Sequence, residues 1–142
     1  MSTDVLVPYA AGFFDGEGWV GVVTQVRQGY NPIQSLLLNI AQVDVRPLET
    51  LRERWGGYLS LDKTTGCWRL IMSAGPAIRF LTDIRPYLVV KAELVDLAFE
   101  FQATKVITGK AMTEEAIQQR NNIVSRIRNL NRPRKGLVGA TT

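Results

Sequence analysis

Apolar positions along the chain change period several times, and each change predicts an element. Val5 to Phe14 is apolar and helix-tolerant, and Pro8 suits a first helical turn. A helix is expected there, stopped by Gly16 and Gly18. Trp19 to Arg27 reads WVGVVTQVR, valine-rich and partly alternating, which predicts a strand. GYNP at 29–32 turns the chain into a second alternating run, Ile33 to Gln42, so the two form a hairpin. Asp44 is placed to cap a helix running to about Arg54, with Leu48, Leu51 and Trp55 on one face and Gly56-Gly57 ending it. Tyr58–Asp62 and Trp68–Met72 are short strands on either side of KTTG, a second hairpin. AGPAIRFLTDI predicts a helix with Pro76 near its start, and Pro86 breaks the chain again. Lys91 to Ala103 is an amphipathic helix, and Thr113 to Leu130 is a last helix ended by NRPRKG. The order αββαββα, followed by a C-terminal helix, predicts one α+β domain over 1–142 with a four-stranded antiparallel sheet. Its basic C-terminal helix and tail occupy about 113–142.

Composition narrows the chemistry. Of the 142 residues, 46% are hydrophobic, enough for a real core. No apolar run is long enough to span a membrane, and Met1 to Val7 lacks the charge order of a signal peptide. The expectation is an intracellular protein, cytoplasmic or organellar, without a membrane partner. The absence of histidine removes imidazole bases, Ser-His-Asp triads and histidine-ligated zinc. A single cysteine, Cys67, allows neither an internal disulfide nor a thiolate zinc site. Any metal must therefore sit on oxygen ligands, as magnesium, calcium and manganese do.

Net charge is +4, but its distribution matters more. No acid follows Glu115, whereas Arg120, Arg126, Arg128, Arg132, Arg134 and Lys135 do. Such a segment attracts a polyanion. A solvated helix face with a tail would carry the same charges, and charge alone leaves both readings open.

The stretch with the most specific chemistry is AAGFFDGEG, residues 10–18. Gly12 and Gly16 lie four apart and form a flat strip on a helix, which permits close approach of a second helix. If the partner is the same strip on a second copy, a two-fold axis runs between them and both Glu17 carboxylates meet at the helix ends. Carboxylates brought together repel unless a cation binds them, and magnesium prefers such carboxylates plus phosphate oxygens. An ordinary helix end with a solvated acid explains the same local pattern, which leaves both possibilities standing.

AAGFFDGEG also resembles the signature of the LAGLIDADG homing endonucleases, and the element order resembles their fold over about residues 6–130. IAQVD at 40–44 resembles the family's end-of-second-strand segment, and PYLVVK at 86–91 the segment carrying its basic-pocket lysine. The resemblance implies a site-specific double-strand DNA endonuclease using Mg2+, with Mn2+ able to substitute. By the same resemblance Glu17 is the metal-binding acid and Gly16 offers a carbonyl to the metal. Gln42 and Lys91 belong to the pocket around the scissile phosphate, Arg46 is a neighbouring basic residue, and Asp15 ties down the helix end. Three positions depart from the pattern: Ala10 replaces the first leucine, Glu17 replaces aspartate, and Val43 stands where a basic residue often follows Gln42. One signature copy implies a homodimer, with Gly12, Asp15 and Gly16 at its interface.

Base recognition is expected on one sheet face. Strand alternation groups Gly21, Val23, Gln25 and Arg27 in the first strand, and Ser35, Leu37, Asn39 and Ala41 in the second. Leu36, Leu38 and Ile40 then belong to the core. Ser60, Asp62, Lys63 and Arg69 are candidates in the second hairpin, and Arg132, Arg134 and Lys135 in the tail. Gln and Asn pair with adenine, Arg with guanine, and Lys63 or Arg27 can instead hold phosphates. Two alternatives use the same fold: an RNA-binding intron-splicing maturase and a non-catalytic DNA-binding regulator.

Overall fold

The structure, a computed structural model, describes residues 3–26, 28–29, 32–104 and 113–132. The order is α1 (Thr3–Glu17), β1 (Gly18–Gln25), β2 (Ile33–Gln42), α2 (Val45–Trp55), β3 (Tyr58–Asp62), β4 (Cys67–Ser73), α3 (Ala74–Ile84), a 3-10 turn at Arg85–Tyr87, α4 (Ala92–Ala103) and α5 (Glu114–Asn131). The strands form one antiparallel sheet in the order β1-β2-β4-β3. This is the expected α+β architecture. No described helix is long and apolar enough to cross a membrane.

The core lies between one sheet face and the helices. Val20, Leu36, Leu38, Ile40, Leu70 and Met72 supply it from the sheet. Phe14, Leu48, Leu51, Trp55, Phe80, Leu81, Ile84 and Phe101 supply it from the helices. Phe80 stands edge-on to both Phe14 and Trp55, and these two aromatic contacts join α1, α2 and α3. The Trp55 indole N–H donates to Asp83 at 2.8 Å, so the polar end of that buried ring is satisfied.

Two ends differ from the sequence expectation. The first helix is longer, and Pro8 lies inside it rather than in its first turn. That position removes the amide that would bond to the carbonyl of Asp4, and the proline sits on the exposed side. The helix also runs through Gly16 to Glu17. Position 18 is glycine for a steric reason: a Cβ there would lie 2.1 Å from the Phe14 ring. Gly16 has no such neighbour, with nothing within 4 Å of its Cβ position.

The last helix closes the free edge of β1. Asn131 donates its side-chain N–H to the Val20 carbonyl at 2.9 Å, covering part of an edge that would otherwise offer unpaired groups. Arg120 donates to Gln34 Oε1 at 3.1 Å and to the Thr104 carbonyl at 2.9 Å, and its guanidinium stacks 4.2 Å from the centre of the Phe101 ring. Arg120 thus ties α5 to β2 and α4 instead of adding to an open basic surface.

Candidate metal and nucleic-acid site

The end of α1 is held by a reciprocal clamp. Asp15 Oδ2 accepts from the Val89 amide at 2.8 Å, and Oδ1 accepts from the Lys91 amide at 3.0 Å. In return Lys91 Nζ donates to the Asp15 carbonyl at 2.6 Å and the Phe14 carbonyl at 3.3 Å. Each side chain thus fixes the other segment's backbone, and the ammonium complements the negative end of the helix. Burial alone would raise the Asp15 carboxyl, but the amides of Val89, Lys91 and Val90 and the Lys91 charge hold it below its ordinary value. Burial lowers the Lys91 ammonium, opposed by the charges of Asp15 and Glu17. The clamp leaves Glu17, the next acid, exposed, and among the described residues its carboxylate has no hydrogen bond or ion pair.

Gln42 reaches the same end of the molecule. Gly18 pairs with Ile40, and Gln42 lies two residues beyond it, where α1 delivers Glu17. The Gln42 carbonyl oxygen accepts from the Val43 amide at 2.8 Å, which leaves its amide hydrogens for another partner. Arg46 is differently disposed. Its guanidinium is taken by Asp44, with Nη2 to Oδ2 at 2.6 Å and Nε to Oδ1 at 3.0 Å. Asp44 also accepts from the Arg46 amide and caps α2, and Arg46 foremost holds its carboxyl down to about 2. Arg46 lies with Tyr9, Pro47 and Thr50 in a shallow recess.

A magnesium-type ion fits this end only in part. Among the described residues no three His, Cys, Asp or Glu side chains come together to hold a metal. Asp15 is committed to backbone amides. One chain therefore offers the Glu17 carboxylate and the Gly16 carbonyl, oxygen donors of the hard kind that magnesium or manganese takes. The rest of an octahedral shell has to come from water, phosphate or a second chain.

The outer sheet face carries most of the expected recognition residues. Strand register places Trp19, Asn39, Ile71 and Tyr58 in one row across the sheet. On one side follow Gly21, Leu37 and Ser73, then Val23 with Ser35, then Gln25 with Ile33. On the other lie Ala41, Arg69 and Ser60, then Cys67 with Asp62. Gln25, Ser35, Leu37, Asn39, Ser60, Asp62 and Arg69 thus share one face. Asp62 is partly occupied there, since it accepts from the Thr64 amide at 3.0 Å and shapes the β3–β4 turn. Lys63 stands exposed in that turn. Arg27, Arg134 and Lys135 lie outside the described residues, and Arg132 is the exposed cap of α5. Arg126 is 4.0 Å from Glu100, a loose exposed pair that the sequence did not foretell.

The remaining feature is the outward face of α1. Leu6, Ala10, Ala11 and Phe14 are buried, yet Val5, Pro8, Gly12 and Gly16 are exposed on the opposite side. A helix apolar all round is ordinarily covered all round. Gly12 has nothing within 4 Å of its Cβ position, so this chain itself does not require glycine there.

No protein-family model matches the chain, and no curated protein matches its sequence. Solved structures do. An archaeal intron-encoded homing endonuclease complexed with DNA, I-Vdi141I, aligns with TM-score 0.78 and 15% identity, covering 92% of this chain and 87% of that one. The homing endonuclease I-CvuI in complex with a DNA target aligns with TM-score 0.77 and 16% identity, covering 93% and 85%. The meganuclease I-SmaMI bound to DNA aligns with TM-score 0.70 and 17% identity, covering 84% of this chain but 44% of that one. Helix α1 with its terminal acid, the four-stranded sheet and the flanking helices together give this chain the fold of the LAGLIDADG homing endonucleases.

Proposed function

We propose that the chain is a site-specific double-strand DNA endonuclease that acts as a homodimer and requires a divalent metal, Mg2+ or in its place Mn2+. The observation that carries this reading is the Glu17 carboxylate. It is unengaged and exposed at the end of a helix whose outward face is bare, beside a sheet face bearing Asn39 and Arg69. The structural likeness to homing endonucleases in complex with DNA supports the same reading. The chain aligns along nearly all of I-Vdi141I and under half of I-SmaMI, which agrees with one chain supplying half of a working unit.

Two copies meeting along Val5, Pro8, Gly12 and Gly16 would bring both Glu17 residues to the two-fold axis, together with the Gly16 carbonyls. The two Glu17 carboxylates and Gly16 carbonyls would hold a divalent metal, whose chemistry there would be to activate water and offset charge on the scissile phosphate. The chain's own residues do the rest. Asp15 and Lys91 keep Glu17 aimed out of the helix end. The free amide hydrogens of Gln42 are placed to hold water or a phosphate oxygen. Lys91 adds positive potential behind the carbonyls it caps. Arg46 can turn to a phosphate only by leaving Asp44.

Specificity falls to the outer face, where Gln25, Ser35, Leu37, Asn39, Ser60, Asp62 and Arg69 face one way. Arg27, Lys63, Arg132, Arg134 and Lys135 are assigned to phosphate contacts. β1 and β2 have 8 and 10 residues. At about 3.3 Å per residue they follow roughly nine base pairs. Two copies then cover a nearly palindromic site of about 20 base pairs, cut on both strands near its centre. Selecting cleaved molecules from a random duplex library, with magnesium and with chelator, tests this. Enrichment of a long two-fold-symmetric site only with magnesium supports it. Binding without cleavage would favour a regulator, and retention of structured RNA alone a maturase.

A further inference from the structure

The outer face carries a feature that polar base recognition does not use. Trp19 is the first outward residue of β1, two positions after Glu17. A Cβ placed at Gly21 would lie 2.4 Å from Cζ2 and 2.6 Å from Cη2 of the Trp19 ring. The indole therefore lies down along the strand, over the Gly21 backbone. Gly21 has no positive φ, so its backbone does not demand glycine; any side chain there would have to displace the Trp19 ring. Gly21 is buried, while Trp19 is only partly exposed. One side of the ring rests on the strand, and the ring makes no hydrogen bond among the described residues. Directly opposite stands Asn39, with Ile71 next in the row.

We propose that Trp19, lying over Gly21, recognises a thymine methyl in the inner part of each half-site, beside an adenine bound by Asn39. The thymine methyl is the apolar mark of the major groove, and asparagine pairs with adenine through N6 and N7. Directly opposed residues on one face have Cβ atoms about 5 Å apart, so both side chains address neighbouring base edges. A flat, pre-seated ring presents apolar area without ordering a flexible chain on binding. Its place on β1 next to Glu17 puts the contact at the cleavage end of the half-site. This assignment rests on the endonuclease reading above.

The test replaces single thymines in a selected target by uracil, which deletes only the methyl. Binding is measured for the full chain, for Trp19→Ser, for Trp19→Phe, and for Gly21→Val, which drives the indole off the strand. At one symmetric pair of inner positions, uracil should weaken wild-type binding about fourfold per half-site. It should have no effect at those positions with Trp19→Ser or Gly21→Val, and an intermediate effect with Trp19→Phe, which keeps an aromatic packed there. An equal uracil penalty in wild type and Trp19→Ser, or no sensitive inner position, overturns the assignment while leaving the endonuclease reading intact. Failure of the wild-type chain to enrich any DNA target overturns the endonuclease reading, and this assignment with it.

Discussion

Asp15 and Lys91 each bind the other's backbone: the carboxylate takes the Val89 and Lys91 amides, and the ammonium takes the Phe14 and Asp15 carbonyls. The pair is separated by 76 residues of chain, yet it fixes the helix end from which Glu17 projects. Replacing Asp15 by Ala should cost about 1–2 kcal/mol, allowing for its partial exposure. Lys91→Met should cost a similar amount, and the double variant less than the sum, because both remove one clamp. Urea titrations of the four proteins check this, and strict additivity would contradict the clamp.

Acid should loosen this end of the molecule. The Asp15 and Asp44 carboxyls both lie below their ordinary value of 3.8 in the folded chain, Asp44 at about 2. A depressed carboxylate contributes stability that is present above its unfolded pKa and is lost as pH falls through the folded one. Stability should therefore fall between about pH 4 and pH 2. Asp44→Asn should flatten the part of that fall due to the cap of α2. Thermal melts across this range provide the measurement, and an unchanged acid limb in Asp44→Asn would refute the assignment.

The bare face of α1 gives a sharper test of assembly. Nothing within 4 Å of Gly12 obstructs a Cβ in the single chain. Gly12→Ala should therefore stabilise an isolated chain by up to about 1 kcal/mol through helix propensity. In a dimer packed along this strip it should weaken association, and Gly12→Leu should abolish it. Light scattering over a concentration series separates the cases. A wild-type chain that is active as a monomer would end the homodimer proposal.

The basic end should grip phosphates rather than bases. Removing residues 133–142 deletes Arg134 and Lys135 but keeps Asn131 on the Val20 carbonyl. Binding should weaken about equally for all sequences, and the salt slope should fall by about two per subunit, or about four for the dimer. A changed base preference in the truncated chain would instead assign base contacts to the tail.

Local pattern made much of this legible. Leu48, Leu51 and Trp55 were separable by helical period, and Leu36, Leu38 and Ile40 by strand alternation; all six are buried. Once those faces were set, alternation also fixed which residues of β2 face outward. What the sequence withheld depends on contacts distant in the chain. Arg120 belongs by charge to the basic C-terminal segment, but Gln34, 86 residues away, draws it inward. Lys91 lies 76 residues from the carbonyl it caps. The glycines at 18 and 21 are explained by rings at 14 and 19, and turn propensity carries no signal of that.

The account turns on Glu17, and Glu17→Gln tests it most directly. Glutamine keeps the shape and exposure of the side chain and removes only the charge that would hold a metal. On a target selected by the wild-type chain, the variant should leave the protected footprint essentially unchanged and reduce double-strand cleavage in magnesium by at least about a thousandfold. Wild-type cleavage should vanish with chelator and return with Mg2+ or Mn2+. Magnesium-dependent cutting by pure Glu17→Gln at a rate near that of the wild type would contradict the proposed site.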